Sequence, residues 1–270
     1  MKRTILISAI ATVILSSCNQ TQDMDLGASQ DASKAEFFYN DVNNISDEAG
    51  NTDDVASIRS MDGIMSGCAT LTIDTISNPH TITVDFGSTN CLCADNRYRR
   101  GVINISFTGR YRDAGTTITI ATSNYFVNDN QVIGTHTIVN QGTNSSGNIY
   151  YSVDVTGQVI LASGAGTISW SSSRIREWIA GSSTPEFNDD VYSISGSGSG
   201  TSAGGNHIAV TITNPLIRKL DPGCRKHFVQ GTVEVLPEGK PARILDFGTG
   251  DCDDIATVTI NGVSHTITLN

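Results

Sequence analysis

The sequence predicts an all-β fold: an antiparallel meander of about twelve strands, preceded by a short N-terminal helix. Three observations predict it. Gly, Ser, Thr, Val and Ile abound while Pro is limited to six, as expected for many short strands joined by tight turns. From about Ile64 onward apolar residues recur with period two, and no stretch there has helical periodicity or length. Lastly, the unit Val84-Asp85-Phe86-Gly87-Ser88-Thr89-Asn90-Cys91 returns as Leu245-Asp246-Phe247-Gly248-Thr249-Gly250-Asp251-Cys252. In both copies a strand runs into Asp-Phe-Gly, leaves the sheet through a glycine turn and ends on a cysteine.

Residues 1–17 carry Lys2 and Arg3, then the apolar run from Ile5 to Leu15 interrupted by Ser8 and Thr12, then Ser16-Ser17. A basic start, a short apolar stretch and small residues before a cleavage point predict a secretory signal peptide. The run falls short of the roughly 20 apolar residues that span a bilayer. Leu15-Ser16-Ser17-Cys18 resembles the lipobox of bacterial lipoproteins, which implies that Cys18 carries lipid, palmitate included, and is the first mature residue. Lys2 and Arg3 leave with the leader, so the mature chain carries 15 basic and 27 acidic residues. Residues 18–63 read as an acidic tether, with nine carboxylates between 19 and 60 against Lys34 and Arg59. Such a tether repels nucleic acid and anionic lipid, and the chain has no electrostatic footprint for binding either.

From 19 to about 34 the sequence is polar and aperiodic, which predicts a linker. Between 35 and 49, Phe38, Val42 and Ile45 fall on one helical face and predict the short helix. The all-β domain then spans 64–270. Segments 69–74 and 81–84 make a hairpin about Ser77-Asn78-Pro79-His80, and 102–107 is a third strand. Segments 116–127 and 131–139 join through Asn128-Asp129-Asn130, residues that tolerate φ > 0. Segments 148–155 and 158–162 pair about Gly157, 167–179 is one long strand, and 191–197 and 207–213 are linked by the glycine-rich run 198–205. Segments 227–236, 242–247, 256–260 and 264–269 repeat the opening arrangement, with Asn261-Gly262 as a two-residue hairpin turn. Connections of hairpin length make sequential strands antiparallel neighbours. So long a meander forms a curved sheet, a sandwich or a partly closed barrel, because open twisted sheets rarely exceed ~10 strands.

Each repeat carries a second cysteine just before its hairpin. Cys68 and Cys91 bracket the first hairpin and Cys224 and Cys252 the second, which predicts the disulfides Cys68–Cys91 and Cys224–Cys252 in an oxidising compartment. Cys93 is left over and is the alternative partner of Cys68. Paired thiols on zinc are the rival arrangement, but the chain has no tight C-x2-C pair or neighbouring His with ligand spacing.

With the repeat, Arg97-Tyr98-Arg99-Arg100-Gly101-Val102-Ile103, the stretch from Asn124 to Gly134, and Trp178 followed by Pro185 and Asp189-Asp190-Val191-Tyr192, the chain resembles a family of uncharacterised lipoproteins from Bacteroidota. The likeness spans 64–269. It implies an exported, lipid-anchored, all-β protein and carries over no activity.

No motif predicts a catalytic residue, a metal ligand or a cofactor. Asp-Phe-Gly lacks the glycine-rich loop and His-Arg-Asp loop that accompany it in kinases. Gly198-Ser199-Gly200-Thr201-Ser202-Ala203 precedes a strand where dinucleotide binding needs a helix. Asp246, Asp251, Asp253 and Asp254 crowd one turn without the spacing of a calcium loop, and the five histidines are scattered. Arg174, Arg176 and Trp178 share one strand face and form the candidate ligand face, since guanidinium and indole groups bind acidic groups and stack on sugars. The expected role is a non-enzymatic binding or structural one at the outer membrane, anchored through lipid, with a glycan or envelope protein as candidate partner. The alternatives are an enzyme acting on envelope glycans and an envelope carrier of an apolar ligand. Palmitate labelling in the native host tests the anchor: Cys18→Ala should abolish incorporation, and unchanged labelling would discard it.

Overall fold

A helix, α1 (Gly27–Gly50), lies in the hollow of a long curved antiparallel sheet. The structure is a computed structural model that describes residues 26–50, 63–162, 164–184 and 186–269; the expected signal peptide and Cys18 lie outside the described residues. The strands in chain order are β1 (Thr70–Asp74), β2 (His80–Asp85), β3 (Cys91–Leu92), β4 (Tyr98–Phe107), β5 (Thr117–Val127), β6 (Asn130–Thr143) and β7 (Ile149–Ile160). They continue as β8 (Thr167–Ala180), β9 (Val191–Thr201), β10 (His207–Lys219), β11 (Gln230–Pro237), β12 (Arg243–Thr249), β13 (Ile255–Ile260) and β14 (Val263–Thr268). Each strand pairs with its sequence neighbours, except that β2 pairs with β4 and the short β3 adds to the start of β4. The sheet does not close, so β1 and β14 are its two edges. Of the three architectures open to the sequence, the curved sheet is the one found.

Bulges and glycines curl it. Register shifts fall between Arg100 and Val102 on β4 and between Gln230 and Thr232 on β11. Between them sit Gly101 and Gly231 at φ of 93° and 106°, where a Cβ would strike the carbonyls of Asn124 and Pro215. The outer face is hydroxyl-rich, with Thr137, Asp154, Ser173, Ser197 and Thr211 side by side on consecutive strands. Inward residues such as Ile105, Val155, Ile168, Val210 and Val258 are buried and form one core with the helix.

Both repeats adopt the same local structure. The Asp85 carboxylate accepts from Gly87 N at 2.7 Å and that of Asp246 from Gly248 N at 2.9 Å, while Phe86 and Phe247 turn into the core. The cysteines flanking each hairpin are bonded, Cys68 to Cys91 and Cys224 to Cys252, with Cα separations of 5.6 and 4.6 Å. Cys93 is free and buried, and burial pushes its thiol pKa up, away from the reactive thiolate.

Three expectations are corrected. The helix starts at Gly27 and not near 35, because the apolar residues its first turns bury, Ala28, Ala32 and Ala35, are too small to register as an apolar stripe. Gly157 does not divide two strands, for β7 runs straight through it. A Cβ there would strike the Ile133 carbonyl and the Tyr39 hydroxyl, so this glycine admits the helix. Similarly, β9 continues to Thr201 and confines the glycine-rich linker to a turn at 202–206. The folded unit therefore includes α1, and a chain cut at 64 would expose the hollow with its buried arginines. That truncated chain should lack a cooperative urea transition; finding one would show that the sheet stands without its helix.

Candidate ligand cavity at the end of the helix

Polar contacts join α1 to the sheet. Asp41, with no exposure, lies between Arg97 and Arg99, accepting from Arg97 Nη1 at 2.8 Å and from the Tyr125 hydroxyl at 2.9 Å. Arg99, equally buried, also grips Asp95 through both Nη atoms at 2.7 Å. Burial alone would raise the Asp41 carboxyl, but Arg99 and Arg97 outweigh it and hold it at about 2. Further along, Asp47 accepts from Arg176 Nη1 at 2.7 Å and from the Tyr111 hydroxyl at 2.9 Å, and Glu36 pairs with Arg174. Asn43 meets His136 Nδ1 at 2.6 Å; burial and the Arg176 charge keep that imidazole neutral, its pKa near a value of about 3. Glu48 ends the series by accepting from the backbone N–H groups of Ile64 and Met65 at 2.8 and 3.2 Å.

A cavity of about 570 Å³ opens where the helix stops. Its floor consists of two inward cross-strand rows, Ile73–Ile82–Ile105 and Phe107–Ile118–Ile138. Ser46, Asp47 and Gly50 form the helix wall, and Arg110, Tyr111, Arg112 and Asp113 from the β4–β5 loop form the rim with Ser183 and Thr184. Arg112 stacks 4.5 Å over Trp178 and donates to the carbonyls of Ser182 and Thr184, which fixes the β8–β9 loop at the mouth. Arg110 is exposed and its guanidinium has no partner among the described residues.

The strand face predicted to carry ligand is turned inward. Arg174 and Arg176 are each 6% exposed and Trp178 is fully buried, with its Nε1 donating to Asp190 at 3.0 Å. The alternation was legible, but the arginines face the acidic helix while Ile175 and Ile179 point outward. This corrects the expectation of an open ligand face: its partners are already Glu36 and Asp47. Asp190 has its carboxyl pushed up to about 7, by burial first and then by the Asp47 charge, against the bond from Trp178. No histidine or cysteine lines the cavity. Sequence reasoning missed the cavity because its floor reads as ordinary strand residues, and no local pattern marks which of them lie beside Gly50.

No protein-family profile, no curated protein and no solved structure matches this chain.

Two substitutions test these electrostatics. Asp41→Asn leaves Arg99 buried beside a neutral amide and should cost about 3–5 kcal/mol in urea unfolding near neutral pH. For Asp190, the folded value near 7 lies above the unfolded one, so the folded state keeps a proton that the unfolded state has lost. Its stabilising effect is therefore greatest on the acid side and falls as pH rises through that window. Relative to the parent, Asp190→Asn should gain stability between about pH 4 and about pH 7. A difference that stays flat with pH would show an ordinary carboxyl.

Proposed function

We propose that the chain is a cell-envelope lipoprotein with a non-enzymatic binding role at the outer membrane, and that its ligand is a small, mostly apolar molecule with a polar end seated in the cavity beside Gly50. The single observation that carries the reading is an apolar floor with a polar rim, in a volume of about 570 Å³. Small-molecule sites typically measure ~300–1,000 Å³ and combine an apolar lining with a few placed polar groups. The floor would take the apolar body, and Arg110 and Thr75 at the edge would meet the polar end.

An enzyme acting on glycans is the weaker reading. Glycoside chemistry needs two carboxyl groups free to exchange protons, whereas of the two carboxylates that line the cavity, Asp47 and Asp113, Asp47 is already committed to Arg176 and Tyr111. The carrier reading requires a concave sheet or barrel with an apolar interior. The hollow is filled by α1 and its ion pairs, so an apolar ligand is left the cavity alone.

Titration of the full mature chain with 1-anilinonaphthalene-8-sulfonate, an apolar ring system with an anionic end, tests the site. Ile73 lies in the half-buried edge strand, and Ile73→Trp fills the floor without opening the core. Probe affinity should drop by about tenfold or more, equal to about 1.4 kcal/mol. Unchanged affinity would place the probe elsewhere and sink the assignment.

A further inference from the structure

We propose that the end of the sheet at which α1 begins rests on a lipid bilayer, and that the cavity opens from the opposite end toward the aqueous phase. This rests on the lipid anchor proposed at Cys18 and adds an orientation and a contact surface to it.

The meander alternates direction, so its turns divide into two sets. The turn 202–206 shares one end with 128–129, 238–242, Asn261-Gly262, the turn from β7 to β8 and the connection 86–97 between β2 and β4. The helix starts at that end, where Ala203 N donates to the Asp31 carboxylate at 2.9 Å. Eight residues separate Cys18 from Gly27, a reach of about 30 Å at full extension. The helix itself, 24 residues long, spans about 36 Å before Gly50 reaches the cavity wall. An anchor at Cys18 thus holds the first end close to the membrane and the cavity beyond the helix's length.

Charge divides the same way. The anchor-side connections carry Asp129, which is paired with Arg100, Asp95 and Arg97, which are buried beside Asp41, and Glu238 with Lys240, so the two signs nearly balance. The far-end loops carry Asp113, Glu186, Asp189, Asp190, Asp221, Asp251, Asp253 and Asp254 against Arg110, Arg112, Arg225 and Lys226, an acidic excess that anionic headgroups would repel. Apolar exposure follows suit. Of the ten large hydrophobic side chains exposed among the described residues, Leu92, Tyr98, Ile133, Ile160, Leu236 and Val263 stand near strand ends on the anchor side. Single exposed aliphatics are ordinary. Here six of them, one an amphipathic tyrosine suited to the headgroup layer, stand on the side where the tether enters, against four on the other.

Tryptophan quenching in vesicles of dibrominated phosphatidylcholine, using the full lipidated chain, tests the orientation. Val263 and Ile255 belong to adjacent strands and lie at opposite ends of the sheet, both exposed, and Ile160 and Ile179 form a second such pair. Quenching of Val263→Trp and Ile160→Trp, after subtraction of the signal from the buried Trp170 and Trp178, should exceed that of Ile255→Trp and Ile179→Trp by about threefold, as for side chains at an interface against side chains in water. Equal or reversed quenching in protein that co-sediments with the vesicles overturns the orientation and leaves the anchor standing. Failure to co-sediment overturns the anchor and this proposal with it.

Discussion

Asp41 is a carboxylate with no solvent contact, and the rest of the molecule is arranged so that it is never alone. A buried charge without a partner costs several kcal/mol, and the attraction of an ion pair repays that only when the remaining hydrogen bonds are made as well. Around Asp41 they are made: two guanidinium groups and a tyrosine hydroxyl converge on it, and Asp95 takes up the other side of Arg99. Asp47 with Arg176 and Glu36 with Arg174 repeat the device along the helix. Replacing such pairs by apolar residues would often leave stability unchanged. What the pairs supply is register, because sliding or rotating α1 by one residue would strand each charge opposite the wrong partner.

The shape of the sheet follows from having a helix to cover. A sheet that stayed flat would leave most of its inner face wet, and one closed on itself would have no room for α1. Bulges at Gly101 and Gly231 bend the strands around the helix, while Gly134 and Gly157, adjacent on β6 and β7, clear the space that Tyr39 occupies. The duplicated hairpins then secure regions near both ends of the strand order. Each has a buried phenylalanine, an aspartate that closes the turn and a disulfide across its base. In the chain-entropy model, crosslinks across loops of this length contribute about 3 kcal/mol each.

Much of this was legible in the sequence, and what was hidden shared one cause. Strand alternation and turn residues are local signals, so the meander and the turn at Asn261-Gly262 could be read directly. Cys68, Cys91, Cys224 and Cys252 could be paired because the repeat carried its own internal comparison. The helix was visible only where its buried face is apolar, at Phe38, Val42 and Ile45, and not where that face is alanine. Its acidic residues read as a solvated tether for the same reason that Arg174 and Arg176 read as an open surface. A charge looks exposed until its partner is known, and the partners lie 138 and 129 positions away.

The cavity depends on the same arrangement and not on any motif of its own. Two rows of isoleucine and phenylalanine form its floor, and Ser46, Asp47 and Gly50 at the C-terminal end of α1 border it. The final ion pair, Asp47 with Arg176 and Tyr111, lies at the boundary between the filled hollow and the open floor. Because its guanidinium is already committed, that pair cannot bind an anionic ligand without releasing the helix end. Tyr111 is held by Asp47 while its neighbours Arg110 and Arg112 border the mouth, so one short loop both locks the helix and shapes the opening. A ligand that displaced Tyr111 would loosen the helix, whereas one seated on the isoleucine floor would leave every buried charge paired. The electrostatics of the hollow therefore favour an occupant whose buried part is apolar and whose polar end stays at the rim.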